Sequence, residues 1–494
     1  MQVKIWYNRS ERLGDFMKFT QIPLHQDIYK ALDKLNYHEM FPVQEKVIGK
    51  LLQNKDMIVK SKTGSGKTAA FVIPLISNIE WEQKEPQALI LAPTRELALQ
   101  IKEETDLIST YRRLKTVAIF GKQPYKQQML DLKQRTHIVV GTPGRILDHI
   151  EKGTLSLSSI RYVVIDEADE MLKMGFIEKV STIIEHITYP HTTCLFSATM
   201  PQQVQDLAQR FLKDAEYVEI QQSQEVNEQV HHYAYQVKEK EKMMMLEKVL
   251  VKQRPETAII FANTQEKVKD ICDRLYDLGI SVDKIHGGML QEDRIQNMKD
   301  FKRGSIRILV ATDVAARGLD IQDISLIINY DMPWKPETYI HRVGRAGRAN
   351  TTGTAISFIN EYDEIRLQEL ETFIKQSLVI KDSYELLDME VTKEDFLSLG
   401  TEIQQKEEKG KELTQEKFKL YIGGGKAKKI RAGDIVGAIC EIDGVNGEDI
   451  GVIQVQEHQT YVDILNGKGL LVLEALQHKM IKKKKLRVEQ AIEK

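Results

Sequence analysis

The chain has 494 residues, of which 42% are hydrophobic and 29% charged, with only 12 Pro and 29 Gly; at roughly 150 residues per domain that is about three globular domains, and disorder and collagen are excluded. No apolar run approaches the about 18 residues that a bilayer requires, and the start, MQVKIWYNRSERLGDF, lacks the apolar core of a secretory signal, so a soluble, cytoplasmic protein with no membrane partner is expected. The formal net charge is −2, yet Lys417–Lys494 carries 14 Lys and Arg against 10 Asp and Glu, a basic tail on an acidic body of the kind that meets nucleic acid.

Residues 1–16 show no recognisable element and read as an N-terminal extension. From there, short runs of Val, Ile and Leu recur at helix-length intervals: MIV (57–59), ALILA (88–92), TVAIF (116–120), HIVV (137–140), YVVI (162–165) and TCLF (193–196). Runs that are apolar at every residue suit parallel strands covered on both faces by crossover helices, which makes 17–217 one α/β domain. A second series, TAIIF, IRILV, SLIINY and TAISF, repeats the alternation over 226–362. Residues 363–416 read as a helical, charged linker, its end almost wholly polar. Beyond it FKLYIGG, AGDIVGAICEI, IGVIQVQ, TYVDIL, GLLVLEALQ and KLRVEQ alternate as β-α-β-β-α-β over 417–494, the ferredoxin-like plan of RNA-recognition folds. Cys194, Cys272 and Cys440 are too scattered for a disulfide framework or a zinc spacing and read as buried thiols.

The chemistry begins at SKTGSGKT (61–68), between the strand MIV and a helix-forming run. A loop in that context cradles phosphate: Thr63, Gly64, Ser65 and Gly66 bring backbone N–H groups close, Lys67 offers a charge to the β and γ phosphates, and Thr68 a hydroxyl to Mg²⁺. Ser61 stands where the general pattern has Gly. The matching carboxylates close the strand YVVI: Asp166 suits a Mg²⁺ site and Glu167 the position from which a water would be aimed at the γ-phosphate of ATP.

Over residues 19 to about 360 the chain resembles the DEAD-box family of RNA-dependent ATPases. NYHEMFPVQ (36–44) resembles its Q motif, with Asn36 in place of the usual Gly, and PTRELA (93–98), DEAD (166–169), TPGR (142–145), SAT (197–199), FANT (261–264), Gln291 with Arg294, ATDVAARGLD (311–320) and HRVGRAGR (341–348) match its other motifs. Phe120-Gly121-Lys122 occupies the place of a frequent Gly-Gly pair. The resemblance implies two tandem RecA-like domains, adenine held by Phe19 and Gln44, Asp320 near the ribose, and Arg345 and Arg348 as arginine fingers. It also implies RNA-backbone contacts at Arg95, Thr142, Arg145, Arg294 and Thr312, sequence-blind as phosphate contacts are, and local, non-processive strand separation.

The tail adds KLYIGG (419–424), which resembles the RNP2 strand and sets Tyr421 for base stacking, and EHQTYVDI (457–464), which keeps Tyr461 of RNP1. Two basic stretches, GGGKAKKIRAGD (423–434) and Lys482, Lys483, Lys484 and Lys485, could meet phosphates. With this tail the chain resembles the bacterial DbpA subfamily, called YxiN in Gram-positive species, which implies 23S ribosomal RNA in large-subunit assembly as partner. A monomer is expected. Two alternatives stay open, an ATPase acting on DNA and an ATP-gated clamp on ribosomal RNA with little unwinding.

Overall fold

The computed structural model describes residues 17–61, 64–220, 230–316, 321, 324–347, 352–400 and 410–491. They form two compact units, the first joining the chain up to Ile220 with Gly410–Lys494, the second Gln221–Lys409. Residues 1–16, expected as an extension, lie outside the described residues.

The first unit holds strands β1 (Met57–Lys60), β2 (Ala88–Leu91), β3 (Thr116–Ile119), β4 (Ile138–Gly141), β5 (Tyr162–Ile165), β6 (Thr192–Ser197) and β7 (Glu216–Glu219). They make one parallel sheet in the order β3-β4-β2-β5-β6-β1-β7. All four residues of β2, β4 and β5 are buried, because helices cover both faces. Successive side chains point to opposite faces: Ala88 and Ile90 join one core, Leu89 and Leu91 the other.

The second unit repeats the plan with β8 (Val230–Gln236), β9 (Ala258–Phe261), β10 (Val282–Ile285), β11 (Ile308–Ala311), β12 (Leu326–Asn329), β13 (Gly353–Ile359) and β14 (Val379–Lys381), in the order β10-β11-β9-β12-β13-β8-β14, all parallel. Much of the stretch expected as a linker belongs to this unit: β14 pairs with β8, and Leu370, Ile374, Leu378, Leu386, Phe396 and Leu399 are buried in its cores. Its charged composition hides apolar residues spaced for helix faces. Residues 401–409 lie outside the described residues.

The C-terminal domain is a four-stranded antiparallel sheet of β15 (Phe418–Ile422), β16 (Ile450–Val455), β17 (Thr460–Ile464) and β18 (Val488–Gln490), ordered β16-β17-β15-β18. Helices Ala432–Cys440 and Gly469–His478 share one core with Leu420, Ile422, Val462 and Ile464. The fold is thus two tandem RecA-like α/β domains followed by a small ferredoxin-like α+β domain.

Candidate nucleotide and RNA sites

Strand order places the motifs. In the first sheet β5, β6 and β1 are neighbours, so the loops at their carboxyl ends, 166–169, 197–199 and 61–68, meet at one half of the edge where ligands of open α/β sheets gather. On the other half β3, β4 and β2 are neighbours, which gathers 120–122, 142–145 and 93–98.

At the first half, Lys67 opens the helix Lys67–Asn78 and is only 5% exposed. Its Nζ lies 3.5 Å from Glu167 Oε1 and 4.0 Å from Asp166 Oδ1. Burial opposes its charge, but Glu167, Asp166 and Asp169 outweigh that and raise its pKa above the usual lysine value. Burial, only partly offset by Lys67, pushes Asp166 up to about 6. Glu167 turns the strand into a helix with φ 55°, a left-handed conformation unfavourable for a side chain of this size.

Gly66 adopts φ 87°, and a Cβ there would stand 2.7 Å from Gln44 Nε2. The approach is close because the two are bonded: Gln44, 3% exposed, donates from Nε2 to Gly66 O at 3.1 Å and accepts from Phe41 N at 2.9 Å. An amide of this kind has two donors and two acceptor lone pairs, so one donor and one acceptor position remain. Phe19 is buried, its ring parallel to Tyr37 at 6.4 Å between centroids. Asn36 takes φ 57°, which Asn tolerates without Gly.

Gly64 and Ser65 form the same turn and Thr68 stands in the first turn of the helix after it, whereas Thr63 lies outside the described residues. For a hard cation the donors fit: Asp166 Oδ1 is buried without a hydrogen-bond partner among the described residues, and oxygen ligands are what Mg²⁺ takes.

Sequence reasoning missed the role of Asp169. Its Oδ2 accepts from Thr199 N (3.1 Å) and Oγ1 (2.8 Å), its N–H donates to Ser197 Oγ (3.2 Å), and that hydroxyl donates to Thr199 O (2.6 Å). Burial would raise the carboxyl, but the Thr199 and Ser197 hydroxyls outweigh it and hold Asp169 below its usual range. DEAD and SAT close the neighbouring strands β5 and β6, a proximity that only the strand order reveals.

At the second half, Thr94 caps the helix Arg95–Ile108 by accepting from Leu97 N at 3.2 Å. Arg95 lies over Gly121, whose Cβ would be 3.5 Å from the guanidinium, and Lys122 holds φ 63° beside it. Thr142 is the residue before the helix Pro143–Glu151. Arg145 donates to Gln123 O (3.2 Å) and Gln128 Oε1 (2.9 Å), so Arg95, Thr142 and Arg145 share one patch.

In the second unit, Arg294 donates to Ala315 O at 3.3 Å and Arg345 to Ala316 O at 2.9 Å, so both converge on the helix Asp313–Ala316 that follows Thr312. Asp320 and Arg348 lie outside the described residues. The arginine that sequence reasoning passed over is Arg342, 1% exposed. It pairs with both oxygens of Asp313 (2.5 and 2.7 Å) and donates to Asn329 Oδ1, Asp331 O and Asn263 Oδ1, so FANT, ATD and HRVGR are tied through one buried guanidinium.

In the tail, Tyr421 and Tyr461 are directly opposite in register, their rings 5.7 Å apart. Both are half-buried, on the face opposite the Leu420–Val462 core. The two basic stretches interlock: Lys482 Nζ donates to Lys429 O (2.8 Å) and Asp434 Oδ2 (3.0 Å), and Lys484 Nζ to Lys428 O (2.7 Å). Lys482 to Lys485 are all exposed.

Comparison with known proteins agrees with this geometry. A family model described as DEAD/DEAH box helicase matches residues 41–207, one described as helicase conserved C-terminal domain matches 241–350, and one described as DbpA RNA binding domain matches 419–490. The chain is 48% identical over 474 residues to the ATP-dependent RNA helicase DbpA of Bacillus subtilis (strain 168), covering 96% of this chain and 99% of that one. It is 42% identical over 360 residues to the DEAD-box ATP-dependent RNA helicase CshA of Geobacillus kaustophilus (strain HTA426), covering 73% of this chain and 77% of that one. Among solved structures, Saccharomyces cerevisiae Dbp5 bound to RNA and ADP BeF3 aligns with a TM-score of 0.67 at 27% identity, covering 78% of this chain and 100% of that one.

Proposed function

The chain belongs to the DEAD-box ATP-dependent RNA helicases of the DbpA type, and from that premise we propose that it performs local, non-processive strand separation on structured 23S ribosomal RNA during large-subunit assembly. As a member of that family it is an RNA-dependent ATPase with a dedicated RNA-binding domain. In the reading proposed here it works as a cytoplasmic monomer.

ATP lies at the β5-β6-β1 half of the first edge. Phe19 stacks on adenine, and the remaining donor and acceptor of Gln44 read its edge. Thr63, Gly64, Ser65 and Gly66 cradle the phosphates, and Lys67 exchanges its carboxylate partners for the β and γ phosphates. Thr68 and Asp166 hold Mg²⁺, which when bound neutralises phosphate charge. Glu167 orients the attacking water, Asp320 meets the ribose, and Arg345 and Arg348 complete the charge on the γ-phosphate, so hydrolysis requires both units.

RNA backbone is held by Arg95, Thr142 and Arg145 from one unit and Arg294 and Thr312 from the other. Tyr421 and the Lys482, Lys483, Lys484 and Lys485 loop hold the targeting element. Closure on ATP and RNA bends one strand out of the duplex, and its partner leaves.

The observation that carries this reading is the division of one sheet edge: a buried Lys67 among three carboxylates on one half, and Arg95, Thr142 and Arg145 on the other. The test is a parallel measurement of ATPase and strand displacement with a 23S fragment, random RNA and DNA. Stimulation by RNA with displacement, strongest for the 23S fragment, is expected. Stimulation without displacement would make the protein a clamp, and equal stimulation by DNA would refute the RNA substrate.

A further inference from the structure

The C-terminal domain is joined to the first unit by more than its chain. Gly410 takes φ 75°, with its Cβ position 2.9 Å from the Leu107 side chain and 3.2 Å from that of Leu35, and starts the helix Lys411–Glu416. Leu413 of that helix is 1% exposed and belongs to the core of the first RecA-like domain. Leu465, just past β17, is 2% exposed in the same core. Burial of this extent from both sides of a seam excludes water as a protein interior does.

Polar contacts surround the seam. Glu416 pairs with Lys34 and accepts from the Tyr111 hydroxyl at 3.2 Å. Lys30 Nζ donates to Asn466 Oδ1 and Arg113 Nη2 to Gly447 O, both at 2.8 Å. Lys417 pairs with Asp463 at 3.2 Å and ties the connecting segment to β17. Above the seam a polar cavity of about 310 Å³, lined by Lys102, Lys115, Lys419 and Gln454 among others, separates the sheet from the helix Arg95–Ile108 and β3. The joint therefore grips one end of the sheet, and the cavity lies along the face that carries Tyr421 and Tyr461, beside their neighbours Lys419, Asp463 and Gln454.

We infer that the C-terminal RNA-binding domain is fixed to the first RecA-like domain as one body and travels with it through the ATP cycle. Resting on the proposed function, this means that the targeting element keeps a constant offset from Arg95, Thr142 and Arg145. Only the second unit then moves against held RNA, so each closure pulls on a strand at a set distance from the anchor.

Cys194 and Cys272 are buried as expected, but Cys440, at the last turn of its helix, is exposed, so it accepts one dye of a single-molecule energy-transfer pair. The second dye goes on Glu151→Cys in the first domain or on Tyr276→Cys in the second unit. With a uridine oligomer plus ADP and beryllium fluoride, the Tyr276→Cys pair should shift while the Glu151→Cys pair keeps one narrow efficiency. A Glu151→Cys pair that shifts with closure overturns the inference.

Leu413→Ser should broaden the Glu151→Cys pair, and if it does not fold, Glu416→Ala with Asn466→Ala should do so more mildly; an unchanged narrow distribution in both would overturn the seam as the cause. Because a uridine oligomer reads only the joint, loss of preference for the 23S fragment in an ATPase assay would refute the proposed targeting and leave the joint standing.

Discussion

The two parallel sheets have the same strand order, position for position, and pair their charges differently at their carboxyl edges. In the first, a lone buried lysine, Lys67, sits among Asp166, Glu167 and Asp169. In the second, Arg294, Arg342 and Arg345 rest on main-chain carbonyls and Asp313. One topology thus supplies the same platform twice, and in the proposed reading the loops decide which half of a phosphoryl-transfer site each carries. A sheet with carboxylates can hold metal and aim water; a sheet with arginines can neutralise developing charge.

If that division holds, the sharpest break comes from the arginine side. Arg345→Ala should lower RNA-stimulated turnover by roughly 10³-fold or more while nucleotide affinity stays near its original value. Glu167→Gln should do comparable damage from the carboxylate side and keep ATP binding. Steady-state ATPase beside equilibrium nucleotide titration separates the two quantities, and a fall in affinity alone would remove Arg345 from the cross-unit role.

A smaller effect should come from the tail, whose position on the first unit makes the place of the cut matter. A chain ending after Glu416 keeps Leu413 and should retain ATPase with random RNA while losing preference for a 23S fragment by about 10²-fold. A chain ending at 409 also loses Leu413, and by the cost of emptying a buried leucine site should unfold about 2–5 kcal/mol more easily in urea. Neutralising Lys482 to Lys485 should weaken the isolated tail and flatten its salt dependence, the slope falling by about 0.7 for each phosphate that is no longer neutralised.

Base selection should be weaker still. GTP presents a carbonyl where ATP has an amino donor, and a Gln44 already tied to Gly66 and Phe41 has little freedom to turn, so GTP should lose roughly 1–3 kcal/mol per unmatched hydrogen bond. Equal turnover of both nucleotides would refute that reading. The smallest expected effect is on pH dependence: with Asp166 raised to about 6 by burial, its carboxylate is present above that pH and lost below it. Mg²⁺-dependent nucleotide affinity should therefore fall by about tenfold per pH unit below 6 and be flat above it, as fluorescence titration from pH 8 to 5 would show.

The parallel sheets were legible because fully covered strands such as ALIL and YVVI leave runs with no polar residue. The edge strands β7, β10 and β14 were not. Their residues, EYVE, VDKI and VIK, face solvent in part and carry the charges that edges tolerate. The nucleotide loop and the carboxylate tetrapeptide were legible because their residue types and spacing are what phosphate chemistry needs.

The Asp169–Thr199 and Arg342–Asp313 ties were hidden, since a hydrogen bond across about 30 residues leaves no trace in local spacing. The joint at Leu413 was hidden for a different reason: one apolar residue in a six-residue helix of KELTQE gives no periodicity, and only the core it shares with Leu35 and Tyr111 gives it a place.

Glu167 carries its own lesson. Its left-handed backbone costs a non-glycine residue about 1–2 kcal/mol, stored at the carboxylate proposed to aim water. Glycine would relax it at no steric penalty. The variant Glu167→Gly should thus shed that strain, yet leave the buried Lys67 without its carboxylate at 3.5 Å and abolish hydrolysis, so the backbone and the site pull this single position in opposite directions.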